Sequence, residues 1–180
     1  PVPILAVDTE HFLTERHELK HFFHGKKRYL MESFYRRMRK RLGILMDGGG
    51  PAGGKWNFDQ KNRQAYDYQI PIPQPLVFNN DVADICRTIH QSGIKTIGQV
   101  EPESLIWPIS RAQSLDLLDA FVKDGLPAFG TYQDAMTVAN WHLFHARLSF
   151  SLNTKMLHPL EVIDAAVKAW QNQAPRIKIQ

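Results

Sequence analysis

A chain of 180 residues, 43% of them hydrophobic, is long enough to bury a core and short enough for one domain or one and a fraction. Its 22 Lys and Arg against 18 Asp and Glu leave a formal charge of +4, a mild excess that selects no partner by itself. One cysteine, Cys86, excludes an intrachain disulfide and a thiolate metal site, so the expected compartment is reducing, the cytoplasm. No apolar run approaches the roughly 18 residues of a membrane helix, and no membrane partner is expected.

In chain order, Val2–Asp8 reads as one short buried strand ending at an acid. Residues 26–42 read as a basic amphipathic helix, with Leu30, Phe34 and Met38 recurring every four residues and the arginines mostly elsewhere. The glycines and prolines from Gly43 to Pro75 predict an extended interdomain connector without helix or central strand. From Asn80 the pattern turns helical. Asp81–Ser92 carries Val82, Ile85 and Ile89 on one face, with Gly93 as its stop. Ser110-Arg111-Ala112-Gln113 predicts a capping box, followed by a buried stripe of Leu115, Leu118, Phe121 and Val122 as far as Gly125. Two further helices are expected, one over 140–152 and one opening at His158-Pro159 with Val162, Ile163, Ala166, Val167 and Trp170 inward.

Several patterns carry candidate chemistry. Arg36, Arg37 and Lys40 on the basic helix supply donors for phosphates, the competing reading being a solvated face. Gly48–Lys55 lacks the G-x-x-x-x-G-K-[ST] form because Trp56 stands at the hydroxyl position, which excludes a nucleoside triphosphatase loop. His17 and His21 share a helical spacing without a joining carboxylate motif, so no metal site is assigned. Arg147, Ser149 and Asn153 concentrate hydrogen-bonding groups on an apolar stretch, the donor set a buried pyrophosphate requires, the competing reading being capped surface polarity.

Three strings carry a more specific pattern: Gly53-Gly54-Lys55-Trp56-Asn57-Phe58-Asp59 with Asn62-Arg63, Pro108-Ile109-Ser110-Arg111-Ala112, and Phe129-Gly130 with Tyr132-Gln133-Asp134-Ala135-Met136. Together they resemble the bacterial iron-sulfur cryptochromes and photolyases, across nearly the whole chain. The resemblance implies a mostly α fold: an internal piece with the end of an α/β antenna domain at 1–25, a basic helix and linker at 26–75, and the first part of a helical FAD-binding domain at 76–180. It implies light-dependent repair of UV-damaged DNA by electron transfer from reduced FAD in the whole protein, with a signalling cryptochrome and a basic nucleic-acid-binding module as alternatives. The piece alone is expected to be inactive and prone to self-association through exposed inward faces. The stretch 145–152 is similar to the family's phosphate-wrapping element, which makes Tyr132, His145, Arg147, Leu148 and Ser149 the expected FAD contacts. His145, Ala146 and Phe150 depart from the commoner Thr, Ser and Pro of that element. No catalytic residue is assigned. A 4Fe-4S cluster and a lumazine antenna are implied for the whole protein only, since a cluster needs four cysteines and the chain has Cys86.

Overall fold

The computed structural model describes residues 2–58 and 62–173. It is mostly α, with helices α1 (Glu18–Phe23), α2 (Met31–Leu42), α3 (Ala83–Gln91), α4 (Arg111–Ala120), α5 (Leu126–Tyr132), α6 (Ser149–Asn153) and α7 (Pro159–Gln173). Strands β1 (Met46–Asp47) and β2 (Gly50–Pro51) form a small antiparallel hairpin.

The expected strand over Val2–Asp8 is instead exposed chain without regular secondary structure, with Ile4 94% and Val7 80% accessible. A strand's amides need a neighbouring ladder, and among the described residues none runs beside it. The connector, read as wholly irregular, holds the hairpin, a turn through Gly48 and Gly49. Both glycines have positive φ (52° and 85°), which the two central positions of a tight hairpin demand. Helix α2 starts at Met31 rather than Lys26, and it ends at Gly43, a left-handed cap (φ 66°).

Helix α4 begins at the predicted serine. Ser110 Oγ accepts from the Gln113 amide at 3.3 Å, while the Gln113 side chain accepts from the Ile109 amide at 2.8 Å and pairs with the Asn80 amide group. Asn80 also exchanges backbone hydrogen bonds with Leu105, so segment 76–82 is fastened to the start of α4. The buried face of α4 is Ser114, Leu117 and Leu118 rather than a stripe through Leu115, which is 38% exposed. Ile85 of α3 is likewise 61% exposed, although it lies on the face the periodicity turned inward.

Two clusters form the core. Leu117, Leu118, Leu148 and Leu157 pack with Phe121 and with Val162 and Ala165 of α7. Ala128, Tyr132, Ala135, Leu143 and Phe144 pack with Tyr66 and Ile72 from the connector. Pro159 occupies the first position of α7, as its missing amide favours. The Arg111 guanidinium grips Glu161 with two nitrogens and also donates to the Met156 carbonyl at 2.8 Å.

Arg111 and the His158 amide together hold the Glu161 carboxyl down to about 2, from 4.5. A carboxyl depressed on folding adds stability above its unfolded value, lost as pH falls from 4.5 towards 2. Both side chains are partly exposed, so the pair should contribute only about 1 kcal/mol. Urea denaturation at pH 6 and pH 2.5 should show the wild type losing about that much more than Arg111→Gln, and an equal loss would remove the pair from the account.

Candidate functional site

Helix α4 does not stop at Gly125. It runs through a π turn over Phe121–Gly125, in which the Leu126 amide donates to the Phe121 carbonyl, and continues as α5. Pro127 explains the wider turn: it has no amide to donate, and its ring crowds the carbonyl four residues back. Gly125 is instead a point of close approach. A Cβ there would lie 2.9 Å from Phe121 Cδ2 and 3.2 Å from the Phe144 carbonyl oxygen.

Over this turn crosses segment 140–148, which was expected to be helical. Only Ser149–Asn153 is helix. Asn140 Oδ1 accepts from the amides of His142 (2.9 Å) and Leu143 (2.6 Å), giving the backbone a local partner that competes with helix, and Leu143 and Arg147 adopt positive φ (45° and 54°). Between the π turn, this loop and Pro73–Leu76 lies a cavity of about 40 Å³, lined by Phe121, Asp124, His142, His145 and Arg147 among others. That is room for a few waters or a small anion.

Of the five expected cofactor contacts, His145 and Arg147 line this cavity. Arg147 donates to the Leu76 carbonyl at 2.5 Å and lies 5.2 Å from the Trp141 ring centre; burial pulls its pKa below the usual guanidinium value. Tyr132 is buried under Phe144 (ring centres 5.4 Å apart), and its hydroxyl donates to Asp67 at 2.9 Å. Burial, then the Asp67 carboxylate, raises its pKa. Leu148 is core at 4% exposure, and Ser149 is exposed at the first position of a five-residue helix. The residue that sequence reasoning did not assign is His142, 5% exposed on the cavity wall, with Nδ1 2.8 Å from the Leu143 carbonyl and a pKa lowered mainly by burial. Asn140 two residues before it was the available sign of a turn.

The basic helix has its own internal use. Arg39, 6% exposed, donates to the carbonyls of Ile44, Leu45 and Trp56 and to the Tyr35 hydroxyl. Arg36, Arg39 and Lys40 lie 5.3–5.5 Å from the Trp56 ring centre. Arg36 pairs with Glu32, and Arg37 and Arg41 both reach Glu18 of α1. No group of three or more metal-ligating side chains occurs among the described residues.

Two of the sequence strings meet in space. The Asn62 carbonyl accepts from the Asp134 amide (3.3 Å), the Thr131 carbonyl from the Gln64 amide (3.3 Å), and Arg63 pairs with Asp134 (3.5 Å). With Tyr66 packed edge-on to Tyr132, the connector is bound to α5 at the string that contains the cavity's supporting tyrosine.

A mainly helical chain that aligns with a photolyase over most of its length falls in the photolyase-related class. The chain belongs to the deoxyribodipyrimidine photo-lyase-related protein family, whose match covers residues 1–105. It is similar to a (6-4) photolyase of Agrobacterium fabrum, with 35% identity over 161 residues. That match takes in 88% of this chain and 31% of the photolyase, so the chain spans about a third of that relative's length. An uncharacterized protein of Acanthamoeba polyphaga mimivirus is 36% identical over 73 residues, 38% of this chain and 37% of that protein.

Proposed function

We propose that this chain is part of a light-dependent flavoprotein that repairs ultraviolet pyrimidine lesions in DNA. The observation that carries the reading is the alignment of 88% of the chain with a protein described as a (6-4) photolyase. The flavin, when bound, supplies the electron donated to the lesion; the protein supplies position and electrostatics. In this reading Arg147 offers charge to the FAD phosphates and His145 and Ser149 offer hydrogen bonds, with Tyr132 and Leu148 fixing the walls behind them. The donor set suits an anion, which in this reading is the phosphate end of the cofactor. The remainder of the flavin shell, a 4Fe-4S cluster and a lumazine antenna belong to segments beyond this sequence. The working compartment in this reading is the cytoplasm.

The test is blue-light repair of ultraviolet-irradiated duplex DNA by the whole protein. Restoration of the bases supports the reading, and light-induced flavin reduction without repair would replace it with a signalling role. Arg147→Ala with Ser149→Ala should weaken FAD binding by the whole protein by about tenfold in Kd or more, since a hydrogen bond to a charged group is worth about 1.5–3 kcal/mol, and so lower its flavin content. Unchanged flavin content would remove both residues from the site.

A further inference from the structure

The chain's small net charge hides a strong segregation. Residues 16–42 contain ten of the 22 Lys and Arg and two of the 18 Asp and Glu, a net +8, while all other residues carry twelve against sixteen, a net −4. So uneven a field is the footprint of a polyanionic partner. The structure divides these cations into two groups. Arg39 is buried, Arg16 pairs with Asp8, and Arg36, Arg37 and Arg41 have Glu32 and Glu18 as partners. Lys26 lies over the Phe22 ring at 3.4 Å. Lys20, Lys27, Arg28 and Lys40 are exposed and, among the described residues, have no carboxylate partner; Lys20 lies apart in α1, and Lys40 stands 5.5 Å from the Trp56 ring centre, a looser contact than that of Lys26. Tyr29, 72% exposed, stands beside Arg28.

We infer that Lys27 and Arg28, in the turn entering α2, together with Lys40 near its end, form a strip that binds the phosphodiester backbone of duplex DNA without reading sequence. The inference rests on the reading above that DNA is the partner, and it moves the main contacts from the arginines within α2 to the turn before it. Lys40 lies nine residues into α2 from Met31, a rise of about 14 Å, close to four base-pair steps of one strand. Exposed lysine and arginine ends without carboxylates bring their full charge to phosphates, whereas Arg36 and Arg37 must first give up a glutamate. Three such contacts should give a logarithmic salt slope of about −2.7, or about a 40-fold loss of affinity between 50 and 200 mM salt.

The experiment is fluorescence-anisotropy titration of the full chain with a labelled duplex, undamaged and ultraviolet-irradiated, at several salt concentrations. Lys27→Gln with Arg28→Gln should reduce the slope by about 1.8 for both duplexes, and Arg36→Gln with Arg37→Gln should change it less. Circular dichroism checks that each variant is folded. An unchanged slope in Lys27→Gln with Arg28→Gln overturns the strip, whether or not the whole protein repairs lesions. Tighter binding to vesicles containing anionic phospholipid than to the duplex overturns it too, by assigning the charge to a membrane surface. A reduced slope sustains it even if repair by the whole protein fails, which would refute only the photolyase reading.

Discussion

Arg39→Leu should lower stability by about 3 kcal/mol and Tm by about 6–12 °C, among the largest single-residue effects in this chain. Arg39 is a charged side chain at 6% exposure that no carboxylate among the described residues neutralises. Its compensation is a ring of acceptors: the Ile44 carbonyl at 3.2 Å, the Trp56 carbonyl and Tyr35 hydroxyl each at 3.1 Å, and the Leu45 carbonyl. These carbonyls flank the glycine-rich hairpin, Ile44 and Leu45 just before β1 and Trp56 after β2, and the hairpin's glycines contribute no side-chain packing of their own. Leucine would fill much of the space but leave the part-buried Ile44 and Trp56 carbonyls without this donor, the Leu45 carbonyl keeping the Ala52 amide at 2.8 Å, and an unsatisfied acceptor costs more than the bond contributes. Arg39→Lys should rescue little, because one ammonium cannot match a planar fork that reaches four acceptors. Thermal unfolding followed by circular dichroism measures the loss. A drop below 2 °C would mean the hairpin is held by something else.

Gly125→Ala should cost about 1–3 kcal/mol and lower cofactor occupancy in the whole protein at the same time. Alanine ordinarily favours a helix over glycine by up to about 1 kcal/mol, so an opposite sign is informative. The new methyl would meet Phe121, a ring held edge-on to Phe129 with centres 5.4 Å apart, and the Phe144 carbonyl in the backbone of the cavity loop. Neither can move without disturbing the π turn or the segment that carries His142, His145 and Arg147. Denaturant titration and flavin absorbance should therefore change together. Stabilisation by alanine would show that the loop does not seat as closely as the structure has it.

What the sequence disclosed was mostly what is decided locally. The serine cap of α4, the proline opening α7 and the glycine after α3 act within one turn, and each stands where chain reading put it. Elements decided by distant partners were less legible. Apolar Val2–Val7 has strand composition, but composition supplies no neighbour to pair with. Leu143, Phe144 and Leu148 suit a helix by polarity, yet Asn140 caps a turn and Arg147 reaches the Leu76 carbonyl, 71 residues earlier in the chain. Arg39 could not be told from its neighbours because burial of a guanidinium depends on carbonyls supplied by a loop that a sequence pattern does not fold. At the candidate site, His145 and Arg147 line one cavity. Leu148 and Tyr132 went to the core on either side, and His142 entered through the turn that replaced the expected helix.

The most direct measurement is the absorption spectrum of the purified whole protein before and after blue light with a reductant present. Oxidised-flavin bands that bleach on illumination are the predicted result, with binding weakened by Arg147→Ala. A colourless protein that takes up no FAD on reconstitution would contradict the proposed function and leave the basic strip before α2 as the chain's remaining candidate interface.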